Sequence, residues 1–397
     1  MRASALRRLD AFEIAALGLL VLGSSFVATG LLPAHDAHAT WQRLAPLLAF
    51  LATVVILARL VAEAEVFEVV AVRLTRLAGG DVLALLVLCA AFAALTTMFL
   101  NLDTTAVLLT PVMLATAARV GVAAVAFAMT TVWLANTASL LLPVSNLTNL
   151  LAADRVGLSP AAFAARMAPA QLAAVAVTML CLWALYWRRA LRDGHRDEPV
   201  AAHEPGDRLL LRLAGGACAV FVAGLVAGVA PALASSACAG LLALAFAVRR
   251  PAVLRARLIP WQLLVFVVGL FLVVQTITEH GLGAIMHALA GDGGGTIGVL
   301  RGAGAGALAS NVVNNLPAYV AGEAVVPAAN HDQLLGLLVG TDVGPIVAPW
   351  GSLATLLWYQ QCRAAGVRVP WRTFAATGAV AVTATLAATL AALVLLG

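Results

Sequence analysis

Four short clusters of amide, hydroxyl and carboxyl side chains interrupt otherwise apolar stretches of this 397-residue sequence. The first is Asn101-Leu102-Asp103-Thr104-Thr105, followed by Pro111. The second is Asn136-Thr137-Ala138-Ser139, then Pro143, then Ser145-Asn146-Leu147-Thr148-Asn149. The third runs from Ser310 and Asn311 to Asn314, Asn315 and Pro317. The fourth is Thr341-Asp342-Val343-Gly344-Pro345, then Pro349, then Gly351-Ser352-Leu353-Ala354-Thr355. Amides and hydroxyls hold a small hydroxylated solute by hydrogen bonds and supply no fixed cation. Asp103 and Asp342 are the two acids set deepest in apolar sequence.

The rest of the composition sets the medium in which these clusters work. Hydrophobic residues make up 62% and charged residues 11%. Soluble domains run about 45–50% apolar and about 25% charged. The chain is therefore a polytopic, all-α membrane protein, with room for roughly ten spans of about 20 residues. An ionisable residue at that depth is costly and marks function by default, so Asp103 and Asp342 are candidate proton-coupling groups. Asp103 is favoured as the proton carrier, and Asp342 as a partner of substrate or of a helix end. Glu279 and Glu323 stand nearer segment ends and are expected at the interface. Glu63, Glu65, Glu68, Arg73 and Arg76 read as one charged face of a surface helix.

Several function classes drop out. All 24 basic residues are arginine, and they form no basic face with interleaved aromatics, so nucleic acid is not expected as a partner. Without lysine there is no Walker A loop. The five cysteines show no CxxC spacing, so neither a metal site nor a disulfide framework is expected. No histidine lies mid-span beside a carboxylate, which argues against a membrane enzyme; no cofactor is implied. The run from Phe12 to Leu32 is too long for a signal peptide's apolar region and is expected to stay as a span.

The clusters repeat. Asn101 falls on Asn314, Asn136 on Asp342, Pro143 on Pro349, Asn146 on Ser352 and Asn149 on Thr355. The expected plan has a first repeat at 1–187, with a hairpin at 82–118 and a broken helix at 121–151. A cytoplasmic linker follows at 188–208. The second repeat, at 209–397, has a hairpin at 296–328 and a broken helix at 333–360. Cytoplasmic loops carry excess arginine. With the N-terminus inside, Arg43, Arg155, Arg166 and Arg301 fall outside and most of the others fall inside. The first hairpin then opens to the cytoplasm and the second outward, which makes the repeat inverted, a plan common in secondary transporters. Irregular backbone at mid-depth is tolerated only where it is buried or lines a cavity. Asn101, Thr104, Asn136, Thr137, Ser139, Ser145, Asn146, Asn149, Asn314, Asn315, Gly351, Ser352 and Thr355 are accordingly expected to bind substrate. Polar residues of this kind also simply bond helices together in membranes.

The stretches FLNLDTTAVLLTP (99–111), NTASLLLPVSNLTNLLAAD (136–154), SNVVNNLPAYV (310–320) and GTDVGPIVAPWGSLATLLW (340–358) resemble the ArsB-type arsenite efflux permeases. These belong to the ion transporter group that includes sodium-coupled dicarboxylate symporters. The resemblance implies an inverted-repeat fold and export of arsenite and antimonite against proton entry. The expected location is the inner (plasma) membrane, as a multi-pass protein, with the bilayer, protons and As(III)/Sb(III) as partners. The resemblance also brings in an ArsA-type ATPase, for which the chain would be the membrane channel subunit. A sodium- or proton-coupled transporter of another small anion is the alternative on the same fold. Two positions depart from the family pattern: Leu102 stands where a second Asn is common, and Trp350 where a smaller residue is expected.

Overall fold

The computed structural model describes residues 11–190 and 203–396. Arg2, Arg7, Arg8 and most of the expected 188–208 linker lie outside the described residues. Among those described, the chain is helical and carries no strand. Seven helices are long and apolar enough to cross a membrane: Ala34–Glu63, Val82–Leu100, Pro160–Trp187, Arg208–Leu225, Pro231–Arg249, Trp261–Ala290 and Trp371–Leu396. Local chemistry sets several of their starts. Asp81 and Asp207 each accept two backbone N–H groups at a helix N-terminus, and Pro160 and Pro231 stand where a missing N–H costs nothing.

The two halves fold as repeats of inverted topology. The first hairpin has arms Val82–Leu100 and 102–120, and the second has arms Gly295–Val313 and Asn315–Val325. One constant shift carries Val82, Leu100 and Asn101 onto Gly295, Val313 and Asn314. Each hairpin is followed by a broken helix. The first consists of Ala124–Thr137 and Leu147–Arg155, the second of His331–Val343 and Leu353–Ala364. A second shift carries Thr137, Asn146 and Leu147 onto Val343, Ser352 and Leu353. The halves also pack across each other: Ala34–Glu63 lies on Pro231–Arg249, and Pro160–Leu182 on Trp371–Leu396.

The hairpin tips share a rare backbone shape. Asn101 has φ 85 and ψ 151, and Asn314 has φ 89 and ψ 153. Glu65 is the other non-glycine residue with positive φ among those described. Such conformations cost about 1–3 kcal/mol and persist only where the surroundings over-determine them.

Charged groups gather at two opposite ends. At one, Glu65 meets His203 at 2.7 Å and Asp207 meets Arg249 at 2.6 Å. The Arg249 guanidinium, hydrogen-bonded to Asp207, holds that carboxyl below the usual carboxylate range. At the other end, Arg166 meets Asp332 at 2.8 Å, and Arg43 meets Glu323 at 2.7 Å. Glu323 is 2% exposed, and an arginine from the far half neutralises it. Glu279 is exposed.

The tightest packing joins the second hairpin to the second broken helix. Gly302 and Gly306 of the arm lie against Gln333, Leu337 and Thr341, while Gly336 and Gly340 of the half-helix and Gly344 just after it lie against Val299, Ala303 and Ala307. A Cβ on Gly340 would stand 2.1 Å from the Ala303 carbonyl oxygen, and one on Gly306 would stand 2.6 Å from that of Leu337. Small residues at i and i+4 let membrane helices reach backbone contact. Gly340→Ala must therefore part the helices, at a cost of about 1–3 kcal/mol. Gly304→Ala places its methyl in open space. Thermal unfolding in detergent should show a lowered midpoint for the first and an unchanged or raised midpoint for the second. Equal midpoints would contradict this packing.

Candidate functional site

Both broken helices stop at depth for local reasons. After Thr137 the chain passes through Pro143 into a short turn and restarts at Leu147, with Asn146 as the cap. After Val343 it turns at Gly344–Ile346 and restarts at Leu353, with the Ser352 hydroxyl accepting the Thr355 N–H at 3.1 Å. Asn146 likewise accepts from the Thr148 N–H at 3.4 Å.

The two breaks face each other across the repeats. Thr148 Oγ1 of the first half donates to Asp342 Oδ1 of the second at 2.7 Å. Asn136, which holds the position matching Asp342, donates from Nδ2 to Thr355 Oγ1 at 3.4 Å. Ser139 and Asn146 are the other polar side chains that act on the Asp342 carboxyl. Asn136, Ser139, Asn146, Thr148, Asp342, Ser352 and Thr355 are all buried. Four atoms in the breaks lack a protein hydrogen-bond partner: Asn136 Oδ1, Asn146 Nδ2, Asn149 Oδ1 and Asp342 Oδ2. Buried polar groups are almost always paired in native proteins. This mix of one donor and three acceptors suits a small solute with several hydroxyls.

The hairpin tips brace the centre. Ser145 Oγ donates to the Met98 carbonyl at 3.0 Å, which ties the first break to the first hairpin. Asn314 Nδ2 donates to the Trp350 carbonyl at 2.9 Å, and the Asn315 N–H donates to that of Gly351 at 2.8 Å. Asn101 Oδ1 accepts the Asp103 N–H at 2.7 Å and holds its own tip. Asn149 Nδ2 donates to the Ser139 and Leu142 carbonyls and closes the first break. Trp350, half exposed, donates from its indole N–H to the Asn311 carbonyl at 2.9 Å. Leu102 is buried in the apolar core.

Some expected site residues lie elsewhere. Thr137 turns to the helix Pro160–Leu182, where the Thr178 hydroxyl donates to it at 3.0 Å. Asp103 and Thr104 line a cavity of about 110 Å³ with Arg59, Gln262 and Gln360. Asp103 Oδ1 and Thr104 Oγ1 are buried there without a hydrogen-bond partner. A second cavity, of about 230 Å³, is lined by Arg43, Arg155, Gln275, Thr278, Glu279 and Glu323. Arg43 and Arg59 lie on one helix, so the cavities are separated by about 24 Å along its axis.

Arg59 and Gln171 lie outside the polar clusters, and Asn311 belongs to the third cluster but was not among the expected substrate-binding residues. Asn311 bridges the second break, donating to the Gly344 carbonyl at 2.9 Å and accepting the Ala348 N–H at 2.8 Å. Gln171 does the same for the first, accepting from the Leu140 N–H at 2.8 Å and donating to the Thr137 carbonyl at 3.2 Å. Arginine within the apolar run of Ala34–Glu63 was the available signal for Arg59. No group of three or more metal-ligating side chains occurs among the described residues.

Comparison with known proteins extends this picture. A family model described as a citrate transporter matches residues 8–355. The arsenical pump membrane protein of Escherichia coli strain K12 is 29% identical, over 93% of this chain and 90% of its own length. Its namesake in Yersinia enterocolitica is also 29% identical, with the same two coverages. A 46 kDa membrane protein of Mycobacterium leprae is 25% identical over 87% of this chain and 83% of its own. The crystal structure of the YdaH transporter of Alcanivorax borkumensis, described as having an unusual topology, covers 96% of both chains with a TM-score of 0.58 at 16% identity. It shares the fold.

The Thr148–Asp342 bond gives a direct check on the centre. Thr148→Val leaves the carboxyl without that donor, at a cost of about 1–3 kcal/mol. Thr148→Ser keeps the donor. Detergent unfolding should show a lower midpoint for Val than for Ser. The reverse order would exclude the bond as a structural tie between the halves.

Proposed function

We propose, from the premise that this chain belongs to the citrate transporter family, that it is a secondary transporter exporting arsenite and antimonite in exchange for protons. The observation that carries this reading is the chemistry of the centre between the two breaks. Its amides and hydroxyls are neutral, and the side chains hydrogen-bonded to Asp342 and Asn136 are threonines. Arsenous acid is neutral, small and rich in hydroxyls near pH 7, and such partners suit it. The centre contains no cysteine, and clustered thiols would hold trivalent arsenic too tightly for turnover. The names of the arsenical pump relatives point the same way.

Uphill export of a neutral solute needs an ion that runs inward. Asp103 and Asp342 are the acids suited to carry it, since each has a buried oxygen without a fixed partner. Substrate held between Asn136 and Asp342, the matching positions of the two halves, would be released as the Asp342 carboxyl takes up a proton. The two cavities would serve as access routes from either side. The repeats at 1–187 and 209–397 flank the cytoplasmic linker. The chain sits in the inner membrane with its N-terminus inside, a placement supported by the arginine bias.

A second reading keeps the fold and changes the solute. Arg59 beside Asp103 offers a cation to a small anion such as a carboxylate, and the family model is described by citrate. Uptake of radiolabelled arsenite into inverted vesicles separates the two. An imposed proton motive force directed out of the acidic lumen should drive accumulation in wild type. Asp103→Asn and Asp342→Asn should insert normally and lose at least tenfold of that uptake. Wild-type uptake of citrate but not arsenite would establish the second reading. Unchanged uptake and pH dependence in both variants would move the coupling ion to sodium.

A further inference from the structure

An apolar groove of about 700 Å³ runs between the first hairpin and the second half of the chain. Phe92, Leu95 and Phe99 of the arm Val82–Leu100 line one side, and Ala219 and Ala223 of the helix Arg208–Val226 line the other. Phe67 also lines it and meets the Phe92 ring, with centroids 6.2 Å apart. The arm packs on Val66–Ala78, and the helix packs on Ala34–Glu63 and Pro231–Arg249. Between arm and helix the groove stays open: Leu95 is 52% exposed, and Ala219 and Ala223 are exposed as well.

One face of the helix leads from charge into this groove. Arg208, Arg212, Gly216, Ala219 and Ala223 follow steps of three and four residues, so they lie in one row. All five are exposed. A Cβ added to Gly216 would touch nothing within 4 Å. Leu209, Leu213 and Val220 stand exposed in the adjoining row and raise a wall beside it. The row is a trough floored by backbone and methyl groups, with two guanidinium groups at its mouth. Arg212 and Ala223 are about 16 Å apart along the axis. One leaflet's share of the hydrocarbon core is about 15 Å.

Acyl chains are alike to such a groove, because lipid tails are as apolar as leucine and no hydrophobic drive favours one over another. The headgroup decides which lipid stays. Arginines hold phosphate oxygens through charge-assisted hydrogen bonds, often two at once. We propose that the groove is a specific site for a phospholipid with an anionic headgroup, its phosphate on Arg208 and Arg212 and one acyl chain along the trough. The chain lies over Gly216, Ala219 and Ala223 and touches Phe92, Leu95 and Phe99. Those three side chains belong to the arm that ends at Asn101, the hairpin tip. The lipid therefore sits between the first hairpin and a helix of the other half and sets how closely they approach. This site is separate from the solute centre and does not depend on which solute is carried.

Native mass spectrometry of the full chain tests the site. Protein extracted in detergent is delipidated and offered equal amounts of phosphatidylglycerol and phosphatidylcholine with the same acyl chains. Wild type should retain phosphatidylglycerol in preference by about tenfold, since each arginine near the surface favours an anionic headgroup. Arg208→Gln with Arg212→Gln should bring the two lipids to parity. Ala219→Phe with Ala223→Phe fills the trough, keeps both arginines and should lose the preferred lipid as well. Both pairs replace exposed residues, so their unfolding midpoints in phosphatidylcholine should match that of wild type. Equal retention of the two lipids by wild type, or an undiminished preference in either double variant, overturns the proposal. So does a wild type that is a dimer in phosphatidylcholine and that the two phenylalanines turn into a monomer, since the groove would then belong to a second copy.

Discussion

A chain that leaves the helix inside hydrocarbon frees backbone N–H and C=O groups that lipid cannot satisfy. This protein does so twice, between Thr137 and Leu147 and between Val343 and Leu353. Most of the polar chemistry in the structure answers that constraint. Gln171 and Asn311 bridge the freed groups of the two breaks, and Asn146 and Ser352 cap the restarting half-helices. Asn149 and Ser145 close the first break, and the Asn314–Asn315 tip closes the second. What remains unsatisfied in the breaks is confined to a few side-chain atoms of Asn136, Asn146, Asn149 and Asp342.

Stability and site are therefore parts of one arrangement. The half-helices of one repeat are completed by the other, through Thr148 on Asp342 and Asn136 on Thr355. The close approach at Gly302, Gly306, Gly336 and Gly340 fixes the second broken helix to its hairpin at backbone distance. The two positive-φ asparagines hold the hairpin tips in a shape that only their surroundings maintain. Two cavities lie toward opposite ends of Ala34–Glu63, one lined by Arg59 and one by Arg43.

Much of this was legible in the sequence because it is written in local signals. The apolar stretches, the prolines and the matched Asn, Ser and Thr positions announced an all-helical membrane fold with two hairpins and two broken helices. What depends on distant partners was not legible. Glu323 near a segment end gives no sign that Arg43 of the other half pairs with it. Thr137 sits in a cluster by sequence, yet its side chain faces Thr178 by helical phase. The sequence gives Asp103 and Asp342 no surroundings, whereas in the fold one lines a side cavity with Arg59 and the other bonds Thr148 across the breaks. The glycine ladder follows i, i+4 spacing, but the arm it meets is set by the fold.

On the proposed reading, trivalent arsenic binds between the two breaks, held by oxygen and amide groups and not by sulfur. Anomalous diffraction at the arsenic edge, from crystals of the protein with arsenite, tests this most directly. One peak is expected within about 4 Å of the Asp342 carboxyl, the distance at which an arsenic atom bonded to hydroxyls reaches a hydrogen-bond acceptor. A peak confined to a cysteine such as Cys89 or Cys362, with none between the breaks, would contradict it.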